Sequence, residues 1–199
     1  MTRRPQKKPY HHGDLRRVLV ETAETMLRED GRFQFTLREV ARRAEVSHAA
    51  PYNHFPDKSA LLAELGMVGF DRLREALVAS RPKKVPTLRE EFVEMSRAYV
   101  SFGVENPALY RLMFSPDVGS DVHLSERAVS AFRVLVELLE RGQQDGVVRK
   151  GAARTLSAAC WAQVHGITML TIDGLFMPET VGAGALETAL AVLFEGLER

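Results

Sequence analysis

An all-α fold is what this 199-residue sequence predicts, on three observations. Apolar residues recur at i, i+3, i+4 and i+7 in segment after segment, the period of a helix with one buried face. Helix-opening residues and Gly or Pro punctuation bracket those segments. No run alternates apolar and polar residues as a half-buried strand would, and the chain holds no internal repeat or low-complexity tract. About nine helices fill the chain on this reading.

In order along the chain, Asp14 is placed to cap a first helix whose face carries Leu15, Val18, Leu19, Thr22, Ala23, Met26 and Leu27, ending near Gly31. Thr36 opens a second helix with Glu39 three residues on, the spacing of a capping box. Leu37, Val40, Ala41 and Ala44 form its apolar face, and Ala41 is small where two helices must cross closely. Val46 plugs the break that follows, and Ser47 is a good N-cap for a short helix over His48 to His54. Pro51 strains that helix, because it lacks an N–H and disfavours helical geometry at Ala50. Asp57 caps a long helix to about Ser80, with Leu61, Leu65, Val68, Leu73 and Leu77 along it. After the break Arg81 to Pro86, Thr87 and Glu90 form a second capping box before Leu88, Phe92, Met95, Tyr99 and Phe102. That helix stops at Asn106–Pro107, and a short apolar segment runs from Ala108 to Phe114. Further helices are predicted from about His123 to Gln144, closed by Gly146, from about Ala152 to Ile172, and from about Gly184 to Leu197.

The two short helices around Glu45 have the spacing of a helix-turn-helix. B-DNA's major groove admits one helix, whose N-terminal residues reach base edges. Ser47, His48, Tyr52, Asn53 and His54 supply donors and acceptors at that place, and Lys58 falls beside an expected phosphate. Thr36 and Arg38 flank it on the preceding helix.

This stretch resembles the DNA-binding half of the tetracycline-repressor (TetR) family of bacterial transcription regulators. The resemblance rests on Thr36, Val40, Ala41, Ala44, Val46, Ser47, Tyr52, His54, Phe55, Lys58, Leu61 and Leu62. It implies a homodimer whose second short helix enters the groove of a palindromic operator in double-stranded DNA. It implies that Tyr52, His54 and Lys58 hold phosphates, while Ser47, His48, Ala49 and Asn53 lie near bases or backbone. Glu45 departs from the family, which usually has Gly at the turn; a left-handed Glu costs roughly 1 kcal/mol. The runs Tyr10 to Arg16 and Ser47 to Tyr52, with Trp161, His165 and Gly166, resemble a subfamily with a C-terminal Trp-x-x-x-His-Gly signature.

With 45% hydrophobic residues the chain can bury a real core, and its net charge of +1 says little. The distribution of charge says more. Residues 1–58 hold twelve Lys/Arg against eight Asp/Glu, and the remaining residues hold fifteen against eighteen. The basic excess sits with the helix-turn-helix, as a phosphate-binding footprint should. The first seventeen residues carry six Lys/Arg and one Asp but no apolar core of a secretory signal. They read as a soluble tail or, beside a DNA-binding module, as an arm touching phosphate or a minor groove through Arg3, Arg4, Lys7 and Lys8. Three regions follow: a basic arm 1–12, a DNA-binding domain 13–70, and a ligand-binding and dimerisation domain 71–199.

From Thr155 to Ile172 no residue bears a formal charge, yet Gln163, His165 and several Ser and Thr make a poor membrane span. A helix apolar nearly all round is buried on every side, which in a small protein implies a subunit interface as well as a core. With Leu186, Leu190, Leu193, Phe194 and Leu197 on the last helix, this predicts a homodimer through the last two long helices. A cavity for a small, largely apolar effector is expected among the middle helices, lined by Phe92, Met95, Tyr99, Phe102, Tyr110, Met113 and Phe114. Trp161 and His165 share a face. They read either as a stacked core pair with a close helix crossing at Gly166, or as further lining.

No cofactor and no metal are expected: His11 and His12 are adjacent, and the single Cys160 offers no zinc spacing. No nucleophile elbow, P-loop, dinucleotide fingerprint or HExxH occurs, so an enzyme is not expected. The function predicted is a cytoplasmic, homodimeric transcriptional repressor released from DNA by its ligand. The alternatives are an effector-independent architectural DNA-binding protein, or a small helical enzyme carrying a DNA-binding module.

Overall fold

The computed structural model describes residues 12–31, 33–82, 86–118 and 121–199. The basic arm with Arg3, Arg4, Lys7, Lys8 and His11, and the side chains of His12 and Asp14, lie outside the described residues. Among those described, nine α-helices carry the fold: α1 His12–Asp30, α2 Leu37–Arg43, α3 Lys58–Ala79, α4 Leu88–Glu105, α5 Pro107–Met113, α6 Val122–Gln144, α7 Ala153–Ile172, α8 Pro178–Val181 and α9 Ala185–Glu195. Two 3-10 turns, Ala50–Asn53 and Pro116–Val118, join them. Extended pairing among the described residues is a lone antiparallel bridge between Val148 and Glu198.

The first helix begins at His12, so Asp14 lies inside its first turn and is not the cap that was expected. His12 and Gly13 both take helical geometry, and the nearest helix breaker upstream is Pro9. The start of α2 follows the expected chemistry. The Thr36 hydroxyl accepts from the Glu39 N–H, and the Glu39 carboxylate accepts from the Thr36 N–H at 2.6 Å. Phe35 precedes this cap and Val40 lies on the fourth helical residue, both buried in one core, the pattern of a hydrophobic staple. The helix closes through a left-handed residue, as the Ala41–Val46 spacing demands. The Val46 N–H donates to the Ala41 carbonyl, the Glu45 N–H donates to that of Arg42, and Glu45 itself has φ 55°.

The helix expected over His48 to His54 is a 3-10 turn confined to Ala50–Asn53. Its bonds run three residues back: Tyr52 N–H to the Ala49 carbonyl, His54 N–H to that of Pro51. Pro51 is the reason, since it supplies no N–H to close an α-turn and steers Ala50 away from one.

Helix α3 then runs for 22 residues from its Asp57 cap, which accepts from the Ala60 N–H. At 1.5 Å rise per residue it spans about 33 Å. Its N-terminal half buries Leu61, Leu62 and Leu65 beside Leu19, Ala23 and Leu27 of α1 and Phe55. Its C-terminal half buries Phe70, Leu73 and Leu77 against α4, α5 and α6. The boundary drawn between residues 70 and 71 falls within this one unbroken helix.

In the second half α4 crosses α7, α6 lies across α3, and α9 packs on α4. A second cluster joins Phe92, Leu138, Leu139, Cys160, Phe194 and Leu197, with the Phe92 and Phe194 rings 5.4 Å apart. Buried Glu91 is held between Arg141 of α6 and Arg81. The hydrogen bond from Arg141 keeps its carboxyl below the usual range despite the burial. On α7, Ser157, Cys160, Val164, Ile167 and Thr168 point inward, whereas Ala159, Ala162, Gln163 and Leu170 are exposed.

The Ser157 hydroxyl is fully buried and has no hydrogen-bond partner among the described residues. A buried hydroxyl without a partner bears its desolvation cost uncompensated. Ser157→Ala should therefore raise stability by about 1 kcal/mol in a urea titration. A loss of stability would mean that the hydroxyl has a partner.

Candidate nucleic-acid interface and central cavity

The segment after α2 is anchored from below. Pro51 is buried and Phe55 is 1% exposed, with the Arg16 guanidinium 5.2 Å from the Phe55 ring. Burying a Phe side chain contributes about 1.5–3 kcal/mol, which offsets part of the cost of ordering the four-residue turn. With those two residues inward, Ser47, His48, Ala49, Tyr52 and Asn53 face outward, and Tyr52 is 50% exposed. His54 is half-buried.

The flanking residues differ in what they have free. The Thr36 hydroxyl is engaged with Glu39, donating to its carboxylate at 2.9 Å. Lys58 is half-buried, its ammonium 5.8 Å from the Phe35 ring. Arg43 is paired with Glu29 and Arg16 with Glu64, so part of the basic excess is neutralised within the fold. Arg38 and Arg42, one turn apart on α2, are exposed, and neither forms an ion pair among the described residues. Sequence reading passed over Arg42. The signal was its i, i+4 spacing from Arg38 on the face beside the turn.

A cavity of about 550 Å³ lies between α3, α4, α5, α6 and α7. Six of the nine side chains expected to line such a space do so: Phe92, Met95, Tyr99, Met113, Phe114 and Trp161. Phe102, Tyr110 and His165 do not. Phe102 lies on the same stripe of α4 as Met95 and Tyr99, a turn further along, and is buried in the core there. Tyr110 has no exposed surface, and its ring sits between Tyr99 and His165. The wall has further residues that the sequence did not single out for it, chiefly Phe70, Leu73 and Leu77 of α3, Phe132 and Leu135 of α6, and Arg154 of α7. The leucines recur at ordinary core spacing, and only the third dimension separates a cavity wall from a packed core.

Behind the wall is a polar cluster. The Tyr110 hydroxyl donates to that of Tyr99 at 2.9 Å, and the Trp161 indole N–H donates to the same oxygen at 3.0 Å. His165 Nδ1 lies 2.7 Å from the Tyr110 hydroxyl. Burial pushes the Tyr99 phenol up to about 12 and raises that of Tyr110 as well. It also pushes the Cys160 thiol up to about 11, so this buried thiol is not a reactive thiolate. The expected stacking of Trp161 on His165 is not found: those rings are tilted by 56°, and His165 stacks on Tyr110 at 27°. Nor is Gly166 a close crossing within the chain, since nothing among the described residues approaches its Cβ position within 4 Å. The close crossing of α4 and α7 is at Gly103.

Burial lowers the His165 pKa below its ordinary 6.5. The unfolded chain then takes up a proton that the folded protein resists, so stability is full above pH 6.5 and falls as pH drops toward the lowered folded value. Urea midpoints should fall between pH 7.5 and 5.5, and His165→Gln should flatten that slope. An unchanged slope in the variant would place the titration elsewhere.

A helix-turn-helix unit with an outward-facing polar turn, followed by a helical domain with an internal cavity, is the architecture of a helix-turn-helix transcription regulator. Residues 19–65 match the model of the bacterial regulatory proteins of the tetR family, and residues 92–193 match the tetracyclin repressor-like C-terminal domain. The chain belongs to the TetR family and is a DNA-binding transcriptional regulator. It is 24% identical over 187 residues to an uncharacterized HTH-type transcriptional regulator, YobS, of Bacillus subtilis (strain 168), covering 93% of each chain. Among solved structures, a Rhodococcus sp. RHA1 protein of unknown function is 34% identical, with a TM-score of 0.84 over 97% of this chain and 100% of that one. A TetR family transcription regulator from Marinobacter aquaeolei VT8 shares the fold at 20% identity, with a TM-score of 0.69 over 94% and 97% of the two chains. No helix among the described residues is long and apolar enough to cross a membrane.

Proposed function

We propose that the protein is a homodimeric repressor that leaves its operator when a small, largely apolar ligand fills the central cavity. The observation that carries this reading is the reach of α3. Its Asp57 cap follows the reading turn by four residues, and Phe70, Leu73 and Leu77 of the same helix form cavity wall. A ligand that favours a shifted α3 moves both reading turns of a dimer from the spacing of about 34–36 Å set by one DNA turn. Tyr52, His54, Lys58, Arg38 and Arg42 grip phosphate in this proposal, Ser47, His48, Ala49 and Asn53 face the groove, and Thr36, both of whose donors are held by Glu39, fixes the start of α2. Residues 1–12 serve as an arm, 13–70 as the DNA-binding domain, and 71–199 as the domain that senses and dimerises, in a cytoplasmic protein.

The proposed dimer face is the exposed side of α7 and α9. Ala162, Gly166 and Leu170 follow one another on α7, with Leu170 43% exposed, and Val192 on α9 is 59% exposed. Apolar side chains left open beside small ones suit close packing against a second copy. Gly166→Leu should yield a folded monomer in sedimentation, because a Cβ at this position has nothing within 4 Å in its own protomer, and thermal unfolding checks that the variant folds. An intact dimer in that variant would move the interface elsewhere. Selection of bound fragments from the source genome, repeated with and without candidate ligands, tests the whole reading. It predicts a two-fold symmetric site whose occupancy a ligand lowers, and occupancy blind to every ligand would leave a purely architectural role.

A further inference from the structure

The cavity's chemistry is one-sided. Its wall is overwhelmingly apolar and, among the described residues, contains no Asp or Glu. Its charged member is Arg154, on the first turn of α7, whose guanidinium lies 6.0 Å from the Phe132 ring and forms no ion pair among the described residues. Arg154, Ala158 and Trp161 follow at i, i+4 and i+7, so one stripe of α7 carries the cation into the same wall as the indole. Deeper in the wall is Ser96 of α4, only 6% exposed, whose hydroxyl has no hydrogen-bond partner among the described residues. The other serines of the wall are engaged: Ser115 donates to Asp117 and Ser125 to the Asp121 carbonyl. Two groups able to donate are thus left without acceptors, one charged and one neutral, with apolar surface around them.

From this we infer that the ligand is a hydrophobic monocarboxylate, its anionic end at Arg154, its apolar body against Phe132, Phe114 and Trp161, and its interior end reaching toward Ser96. The inference rests on the reading of the cavity as the effector site. Arg binds a carboxylate through a planar fork of N–H donors, and Arg154 at the open rim of the cavity presents that fork to an anionic end while the apolar body lies within. A cationic ligand finds no carboxylate in the wall and meets Arg154 as a like charge. A volume of about 550 Å³ falls within the 300–1,000 Å³ of small-molecule sites.

Trp161 is the chain's single tryptophan and is part of the wall, so its fluorescence reports occupancy directly. The test titrates the full chain at neutral pH with decanoate, methyl decanoate and decylammonium, all below micellar concentration. Decanoate should change Trp161 emission saturably, with the ester bound about tenfold more weakly, the scale of one lost charge-assisted hydrogen bond, and the amine weakest. Arg154→Gln should bring decanoate down to the ester's affinity and leave the ester's unchanged. Arg154 is exposed, so its variant is expected to fold, and thermal unfolding checks this. Ser96→Ala should change the affinities of hydroxy- and oxodecanoates and leave that of plain decanoate alone. Equal affinity for acid and ester, or preference for the amine, overturns the anionic assignment while the cavity stands as a binding site. If none of the three probes perturbs Trp161, the reading of the cavity as a ligand site falls with it.

Discussion

Replacing Tyr110 by Ala should cost about 3–5 kcal/mol of stability, the range for emptying a large buried aromatic site. Tyr110 has no exposed surface, and three rings lean on it: Tyr99 at 5.9 Å, His165 at 5.4 Å and Phe114 at 5.1 Å. Those rings come from α4, α7 and the end of α5, so the site cannot collapse by moving one element alone. The hydroxyl adds a second effect. It serves Tyr99 and His165 together, and Tyr110→Phe should still cost about 1–3 kcal/mol by leaving buried polar atoms unpaired. Urea unfolding at fixed protein concentration, followed by circular dichroism, separates the two. A Tyr110→Phe variant as stable as the parent would mean that the polar cluster has other partners.

The second large effect is expected at Gly103. In an open helix, Ala in place of Gly stabilises by about 1 kcal/mol. Here the sign reverses. A Cβ on Gly103 would stand 2.3 Å from Thr168 Cγ2 and 3.2 Å from the Tyr110 ring. Thr168 has nowhere to turn: it is fully buried, β-branched, and its hydroxyl donates to the Val164 carbonyl at 2.8 Å. Overpacking of this kind costs about 1–3 kcal/mol for Gly103→Ala, and Gly103→Val should exceed that by adding branches at the same crossing. A rise in the urea midpoint of Gly103→Ala would show that α4 and α7 are free to part.

Much of the fold was legible because its determinants are local. The capping boxes Thr36–Glu39 and Thr87–Glu90 and the Asp57 cap each depend on residues within one turn, and each forms where the spacing placed it. Glu45 is the clearest case. A turn closing over Ala41 and Val46 needs a left-handed residue whatever its side chain, and Glu45 takes that conformation. The helix expected over His48 to His54 forms only as a 3-10 turn over Ala50–Asn53, because the strain that Pro51 imposes is enough to keep an α-helix from closing there. The cavity wall was half legible. Aromatic and Met residues on α4 and α5 mark part of the wall by their chemistry, whereas Leu73, Leu77 and Arg154 become wall only through how α3, α6 and α7 meet. Tyr110 and His165 fit the composition of a lining and lie behind it, since periodicity fixes a face but not its neighbour.

That the outward face of the 47–54 turn reads DNA is tested most directly by comparing affinities of Asn53→Ala and Tyr52→Ala with the parent, on a selected site and on random duplex, across a salt series. Tyr52→Ala should weaken both duplexes alike, because phosphate contacts carry no sequence information. Asn53→Ala should weaken the selected site alone, by the 1–3 kcal/mol of about one base contact. The parent's affinity should fall steeply as salt rises. Identical losses in both variants on both duplexes, or affinity indifferent to salt, would contradict the assignment.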